Sequence, residues 1–313
     1  MSGPARLIST PEAPAPAGAE AAWVEGCGGL SLRTALFPAG RPRGSVVLSP
    51  GRTEFIEKYY EVIAELTGRG FTVLAHDWRG QGLSQRLLPD VLAGHAEGYD
   101  AFIEDHRRVL DAYADRLPRP WIALGHSMGG ALALLALVEG EDRFAAAALT
   151  SPMLGVQFGG APRALARTIA WLMTRCGRGP SPIGRANSAA FEGNVLTHDR
   201  ARYRRAAEIL AAAPELGLGA PTWGWIDFAL KAERALARPG ALERVSIPVL
   251  LFEAGRERLV LNALIRRAAA RLPCGRLVTA PDASHEILME TDEIRAVFWT
   301  AFDELAAAKA PSA

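Results

Sequence analysis

Short apolar runs alternate with helical patterns along the first half of the chain. Runs of strand length lie at Ser45–Ser49, Phe71–Ala75, Trp121–Leu124 and Ala145–Thr150. The segments between them carry apolar residues at roughly helical spacing, at Glu54–Arg69, Tyr99–Leu117 and Met128–Leu137. Strands that are apolar throughout are buried on both faces. The alternation therefore predicts an α/β fold with a mostly parallel central sheet and helices on both faces.

The pattern changes at two places. Trp23–Phe37 alternates partially around a Gly-Gly interruption, which predicts a β-hairpin that opens the sheet. Ser151–Val245 has no strand-like run and holds helical patches broken by Gly and Pro. We therefore predict a flexible lead-in over residues 1–22, a core in two parts over 23–150 and 246–313, and an inserted helical cap over 151–245. Such a cap would cover the carboxyl edge of the sheet, where open α/β sheets bind ligands.

A Gly-x-Ser-x-Gly motif stands between the third of these strands and the helix that follows it, as Gly125-His126-Ser127-Met128-Gly129. This setting is typical of a nucleophile elbow, in which a sharp turn holds the serine in a strained conformation at the carboxyl end of the sheet. A side chain at either glycine would collide with the neighbouring backbone. Ser127 is therefore the candidate nucleophile. The N–H of Met128, at the helix N-terminus, is a candidate oxyanion donor.

A serine nucleophile needs a base, and the base needs an orienting carboxylate. In chains with such an elbow, the acid and then the histidine follow the serine. Beyond the predicted cap, strand-like runs resume at Ile247–Phe252 and Arg276–Ala280. His285 is the one histidine beyond the cap and follows the second of these predicted strands, so we predict it as the general base. The loop after the first, Ile247–Phe252, offers Glu257, which we favour as the acid. Glu253 and Asp282 remain alternatives.

The second oxyanion donor is expected in the loop that follows the strand Ser45–Ser49. Pro50-Gly51-Arg52-Thr53-Glu54 occupies this place, and the N–H of Arg52 is the predicted donor. Glu54 either pins this loop through a hydrogen bond to its backbone or is a carboxylate favoured by a helix N-terminus. Chemistry of this kind needs no metal and no organic cofactor.

Composition narrows the classes of function. The 313 residues carry a net charge of +1, which excludes a global field that would draw the protein to nucleic acid. Three widely spaced cysteines, Cys27, Cys176 and Cys274, predict reduced thiols and no zinc site. The start of the chain lacks the apolar core of a signal peptide, and no apolar run is long enough to span a membrane. We expect a cytoplasmic protein whose cap offers a surface for transient, peripheral membrane contact; the sequence leaves the oligomeric state open.

An ordered set of segments resembles the monoacylglycerol lipase and bacterial lysophospholipase group of α/β-hydrolases, which is serine aminopeptidase S33-like. The segments are Ser49-Pro50-Gly51-Arg52-Thr53-Glu54, His76-Asp77-Trp78-Arg79-Gly80-Gln81-Gly82-Leu83-Ser84, Gly125-His126-Ser127-Met128-Gly129-Gly130, Ser151-Pro152-Met153-Leu154 and Ser284-His285-Glu286. The resemblance implies the α/β-hydrolase fold, a triad of Ser127, Glu257 and His285, and an oxyanion hole of Arg52 and Met128. The monoacylglycerol lipases have His-Gly in place of Pro50-Gly51 and Asp in place of Glu257, and the Pro-Gly form is similar to the lysophospholipase branch.

The expected activity is that of a serine hydrolase that cleaves carboxylic esters of lipid-like alcohols, lysophospholipid or monoacylglycerol, through an acyl-enzyme. Trp171, Trp223 and Trp225 in the cap are candidate substrate-binding residues, with packing of the cap onto the core as the alternative. The basic, partly apolar segment Arg163–Arg178 is a candidate lipid-surface contact or a core-packed helix with a solvated face. A broad-specificity carboxylesterase for small esters is the alternative among enzymes. Outside enzymes, the alternative is a ligand-binding protein on a hydrolase scaffold.

Overall fold

The structure is a computed structural model that describes residues 3–158, 162–184 and 190–310. Parts of the predicted lead-in, cap and second core segment, namely residues 1–2, 159–161, 185–189 and 311–313, lie outside the described residues.

Eight strands of the described chain form one sheet in the order β1-β2-β4-β3-β5-β6-β7-β8. The strands are β1 Glu20–Glu25, β2 Ser31–Phe37, β3 Gly44–Ser49, β4 Phe71–His76, β5 Trp121–His126, β6 Phe144–Thr150, β7 Val249–Ala254 and β8 Gly275–Ala280. Neighbouring strands from β4 to β8 run parallel, and β1 and β2 form an antiparallel hairpin at one edge. The predicted parallel sheet and its opening hairpin are both confirmed.

Helices α1 Tyr60–Gly68, α2 Asp100–Tyr113, α3 Ser127–Val138, α7 Asn262–Arg271 and α8 Asp292–Lys309 cover the two faces of this sheet. Three further helices, α4 Arg163–Arg175, α5 Arg200–Ala212 and α6 Trp223–Ala237, lie in the segment between β6 and β7. One apolar cluster lies under α2, α3, α6 and α7, and a second lies under α1 and α8. Successive residues of β5 point alternately into the two clusters, which is why this strand is apolar throughout.

Residues 3–19 lie against the core, where a flexible lead-in was predicted. Ala13 is buried, the Tyr60 hydroxyl donates a hydrogen bond to the Ile8 carbonyl, and the Ala5 N–H donates to the Ala21 carbonyl. The first strand begins at Glu20, three residues before Trp23, where the core was predicted to begin. The apolar residues of this segment therefore extend the second apolar cluster.

The segment between β6 and β7 carries α4, α5 and α6 and no strand within its described residues. Helix α6 packs against α3 and α4, and its Phe228 and Trp225 belong to the same apolar cluster as α3. Residues 195–196 run beside the loop that carries His285, because the carbonyls of Val195 and Leu196 accept hydrogen bonds from the N–H groups of His285 and Glu286. The insert therefore approaches the carboxyl edge of the sheet. None of the described helices has the length and apolar character needed to cross a membrane.

Candidate active site

Ser127 lies at the tight turn between β5 and α3, with a φ of 49° that non-glycine residues rarely adopt. The turn requires glycine on both sides. A Cβ at Gly125 would lie 2.7 Å from the Gly130 Cα, and one at Gly129 would lie 2.1 Å from the Ser49 carbonyl oxygen. Backbone atoms of neighbouring elements therefore hold the strained serine in place.

His285 and Glu257 complete a continuous chain of hydrogen bonds from Ser127. The His285 Nε2 lies 3.0 Å from the Ser127 Oγ, and its Nδ1 lies 2.7 Å from the Glu257 Oε2. His285 follows β8 and Glu257 follows β7, so two adjacent parallel strands deliver both side chains to the edge where β5 presents Ser127. The three groups are buried and within the geometry that nucleophilic catalysis requires.

The Glu257 carboxylate is held by its own loop. Its Oε1 accepts hydrogen bonds from the N–H groups of Leu259 at 2.7 Å, Arg258 at 2.9 Å and Val260 at 3.2 Å. Burial by itself raises the pKa of this carboxyl, but the hydrogen bond and charge of His285 and the backbone donors outweigh it, so the pKa lies below its ordinary value. The carboxylate is therefore ionised at neutral pH and fixed in orientation.

The two alternative acids lie elsewhere. Glu253 is on β7 and binds Arg266 at 2.8 Å and the Thr279 hydroxyl at 2.9 Å. Asp282 is exposed and pairs with Arg256. The structure brings neither carboxylate to His285.

The loop with Arg52 is fixed from several sides. The Trp78 Nε1 donates to the Pro50 carbonyl, and Gln81 contacts the loop twice, donating to the Gly51 carbonyl and accepting from the Thr53 N–H. The Arg52 N–H itself donates to no group in the described chain. The Met128 N–H lies in the first turn of α3, where helical N–H groups have no intrahelical partner. Both predicted oxyanion donors are thus free to bind a ligand.

Glu54 pins this loop, as one of its two interpretations predicted. Its Oε2 accepts hydrogen bonds from the Gly51 N–H and the Tyr59 hydroxyl, and its Oε1 lies 2.9 Å from the Lys58 Nζ. The same ammonium lies 2.5 Å from Glu286. Sequence reasoning gave no role to Lys58 or Glu286, although Glu286 is part of the segment Ser284-His285-Glu286 and Lys58 stands four residues after Glu54.

Ser151 is a third residue to which sequence reasoning gave no functional role. Its hydroxyl donates to the His285 carbonyl at 2.8 Å, and its φ of 41° is again left-handed. Met153 N–H donates to the Ser127 carbonyl. The turn after β6 thereby ties the nucleophile to the histidine loop.

Glu54, His126 and Glu286 present ligand atoms within 4.8 Å of one another, an arrangement that could hold a metal ion. The Lys58 ammonium already lies between the two carboxylates, and His126 Nδ1 is engaged with the Thr150 hydroxyl at 3.0 Å. Burial lowers the pKa of His126 to about 4, so its ring is neutral at pH 7. Glu54 and Glu286 therefore bind the Lys58 ammonium, which occupies the place that a metal ion would take.

The three cap tryptophans lie in different surroundings. Trp225 is buried and shares a narrow cleft with Met128, beside the predicted oxyanion hole. Trp223 is half-buried, and its N–H donates to the Ser181 carbonyl. Trp171 is 51% exposed on α4, so the structure does not bring it to Ser127.

A cavity of about 270 Å³ lies between the Arg52 loop, α5 and the residues 217–221. Apolar side chains such as Phe55, Leu210 and Leu218 line it together with Arg52 and Lys58. The cavity adjoins the loop of the predicted oxyanion donor and is large enough for part of a lipid-sized ligand.

The fold and this arrangement define an α/β-hydrolase with a serine–histidine–carboxylate site. The chain belongs to the family described as serine aminopeptidase, S33, whose model matches residues 40–292. It is 36% identical over 283 residues to lysophospholipase L2 of Escherichia coli, covering 86% of this chain and 82% of that protein. It is 32% identical over 120 residues to the human monoglyceride lipase, covering 37% of each chain.

Solved structures share the fold. A soluble variant of the Saccharomyces cerevisiae monoglyceride lipase, in complex with a substrate analog, superposes with a TM-score of 0.72 at 20% identity, covering 91% of this chain and 94% of that one. The expected α/β-hydrolase fold and the resemblance to this group are therefore confirmed.

Proposed function

We propose that this protein is a serine ester hydrolase of lipid-like esters in which Ser127 is the nucleophile, His285 the general base and Glu257 the orienting acid. The observation that carries the proposal is the unbroken chain of hydrogen bonds from the Ser127 Oγ through both nitrogens of His285 to Glu257. Family membership and the lysophospholipase and monoglyceride lipase relatives support ester hydrolysis.

The proposed reaction passes through an acyl-enzyme. His285 Nε2 takes the Ser127 proton as the Oγ attacks the ester carbonyl, and it returns that proton to the leaving alcohol. The N–H groups of Arg52 and Met128 stabilise the negative oxygen of the tetrahedral intermediate. Glu257 stabilises the protonated imidazole and holds it in one orientation. A water activated by His285 then releases the fatty acid.

Lysophospholipid is the proposed substrate, ahead of monoacylglycerol. The similarity to the Escherichia coli lysophospholipase spans most of both chains, whereas that to the human monoglyceride lipase spans little more than a third. The loop Pro50-Gly51-Arg52 also has the form of the lysophospholipase branch.

We further propose that α4 is the contact with a lipid surface. Its apolar residues Leu165, Ile169 and Leu172 follow each other at helical spacing and are exposed, with Trp171 beside them. Arg167 and Arg175 on the same helix are also exposed and would face anionic head groups. An exposed apolar stripe with a basic rim is costly in water, and an interface would cover it.

The test is hydrolysis of a panel of esters by the purified protein and by Ser127→Ala. The panel comprises p-nitrophenyl acetate, butyrate and decanoate, a monoacylglycerol and a lysophosphatidylcholine. We expect preference for the lysophospholipid, abolished by the substitution. Activity on the short esters alone would favour a general carboxylesterase, and activity that survives in Ser127→Ala would overturn the assigned nucleophile.

A further inference from the structure

Arg52 carries a side chain whose charge has no carboxylate partner among the described residues. Its Nη2 donates to the Gly219 carbonyl at 2.5 Å, and its guanidinium carbon lies 5.2 Å from the centre of the Trp225 ring. The Nε is fully shielded from solvent and has no hydrogen-bond partner. Burial lowers the pKa of Arg52 to about 10, so the group is still a cation at neutral pH.

Most other cations that the described chain shields from solvent are paired with carboxylates, although Arg86 binds only the carbonyls of Gly80, Glu215 and Gly217. Arg33 binds Glu57 and Asp77, and Lys58 binds Glu54 and Glu286. Arg202, which lines the same cavity as Arg52, has several partners: Glu61, Asp199 and Asp292. A cation taken out of water without an anion is destabilising. Because Arg52 also lines a cavity, an anion that arrives there with a ligand would supply the partner that its guanidinium lacks.

The position of Arg52 specifies which anion. Its backbone N–H is the proposed oxyanion donor, and its side chain lines the 270 Å³ cavity. The same number of covalent bonds separates an arginine backbone nitrogen from its guanidinium carbon as separates the ester carbonyl carbon from the phosphorus in a 1-acyl lysophospholipid. A substrate whose carbonyl lies at the Arg52 N–H and whose head group extends along the Arg52 side chain would therefore bring its phosphate to the guanidinium.

We propose that the Arg52 guanidinium binds the phosphate of the substrate, so that this site selects lysophospholipids over uncharged monoacylglycerols. This inference rests on the function proposed above. The phosphate oxygens accept charge-assisted hydrogen bonds from the guanidinium, which are stronger than bonds between neutral groups. The Trp225 ring and the Gly219 carbonyl hold the guanidinium in place before the ligand binds.

The experiment compares two substrates of one acyl length, 1-decanoyl lysophosphatidylcholine and 1-decanoylglycerol, as monomers. The readout is the ratio of their kcat/KM values in the wild type, Arg52→Met and Arg52→Lys. Both substitutions keep the backbone N–H of residue 52. Damage to the loop that carries this N–H would lower kcat/KM for both substrates and would therefore cancel in the ratio. We expect Arg52→Met to lower the ratio roughly tenfold or more, with a smaller loss in Arg52→Lys.

Arg204→Met is the matched control, because it removes an equal charge from an exposed position of α5, which also borders the cavity. Its ratio should equal that of the wild type. An unchanged ratio in Arg52→Met, with both substrates still hydrolysed, would overturn the inference and leave the proposed function intact. Failure of the wild type to hydrolyse either lipid would instead reject the proposed function and the inference with it.

A second measurement begins with the wild type and therefore gives a result even if a variant fails to fold. Glycerophosphocholine and inorganic phosphate are tested as inhibitors of p-nitrophenyl butyrate hydrolysis by the wild type. Competitive inhibition by glycerophosphocholine supports the head-group site, and its loss in Arg52→Met assigns that inhibition to the guanidinium. Inhibition by inorganic phosphate without inhibition by glycerophosphocholine would overturn the head-group assignment.

Discussion

The Lys58 ammonium lies 2.5 Å from a carboxylate oxygen of Glu286, a residue 228 positions further along the chain. It also lies 2.9 Å from Glu54. Glu286 follows His285, and Glu54 binds the N–H of Gly51 beside the predicted oxyanion donor. Burial alone would lower the pKa of Lys58, but attraction by Glu286 and Glu54 outweighs it and raises the pKa. One buried cation thus connects the two loops that must act together.

Lys58→Met should destabilise the protein, because it leaves two buried carboxylates without their counter-ion. Removal of one partner of a buried ion pair costs about 3–5 kcal/mol. The free energy of unfolding in denaturant measures this loss. Lys231→Met is the control: this lysine is exposed and pairs with Asp227 one helical turn away, so a change below about 1 kcal/mol is expected. Equal effects of the two substitutions would contradict a structural role for the buried network.

Glu257→Gln should reduce kcat by on the order of 10⁴-fold while the fold is retained, because an amide can hold the imidazole in the wrong tautomer. Glu253→Gln is the control, because it makes the same change four residues earlier. Glu253 binds Arg266 of α7 and Thr279 of β8, so this substitution should change kcat only a few-fold. Steady-state kinetics on one ester, with circular dichroism to check folding, decides the matter. The reverse order of the two effects would make Glu253 the acid.

Gly129→Ala should separate the nucleophile turn from the Arg52 loop. Its Cβ would lie 2.1 Å from the Ser49 carbonyl oxygen and 2.4 Å from that of Pro50, and backbone atoms must move. Displacement of a catalytic group by about 1 Å can cost 10²-fold in rate, and overpacking costs roughly 1–3 kcal/mol.

Gly68→Ala is the comparison for that experiment. Gly68 ends α1, and a Cβ added there would have no atom within 4 Å. The Gly68→Ala protein should therefore be more stable than the wild type by up to about 1 kcal/mol. Thermal unfolding and kcat/KM are measured on both variants. Full activity in Gly129→Ala would show that the turn tolerates the shift and would weaken the role given to the Arg52 loop.

Stability should fall as the pH drops from about 6.5 to about 4. Burial is the main reason why the pKa of His106 is lowered to about 4; Glu141 opposes this shift, and Arg143 and Arg107 add to it. The unfolded chain takes up a proton near pH 6.5, and the folded chain does so only near pH 4. The unfolded state therefore binds more protons in this window, and the stability that the neutral ring provides at pH 7 is lost on acidification.

His106→Phe tests this linkage. The ring stacks on Phe144 with centroids 6.0 Å apart, and neither of its nitrogens has a partner among the described residues, so phenylalanine suits the site. Between pH 7 and pH 5 the wild type should lose about 2 kcal/mol more of its free energy of unfolding than the variant. If the free energy of unfolding fell by the same amount in both proteins, the pKa of His106 would not be lowered by its burial.

Replacement of two exposed apolar residues of α4 should weaken binding to lipid. Leu165→Ser together with Trp171→Ser removes apolar surface that we expect to enter a bilayer interface, and each such side chain contributes about 1.5–3 kcal/mol when fully buried. Sedimentation with anionic vesicles should show a loss of roughly tenfold or more. Leu277→Ser, on the edge strand β8, is the matched polar substitution and should bind as the wild type does. Equal binding by all three proteins would remove α4 from the proposed interface.

The chain order of apolar runs was sufficient to predict the parallel sheet and most of its helices, because buried parallel strands and their covering helices have distinct local patterns. The motif around Ser127 was equally local, since its glycines are required by contacts within one turn. The contacts of the N-terminal stretch could not be predicted, because nothing in its Pro- and Ala-rich pattern indicates that Ala13 is buried against the core.

The amino-acid sequence by itself determined the fold class, the nucleophile turn and a short set of candidate bases and acids, because these depend on local patterns and chain order. Only the tertiary structure brought Glu257 to His285 and sent Glu253 to Arg266, since both glutamates follow the same predicted strand. It alone paired Lys58 with Glu286 and left Arg52 without a carboxylate partner in the described chain. Contacts between residues far apart in sequence follow from packing, and no local pattern encodes them.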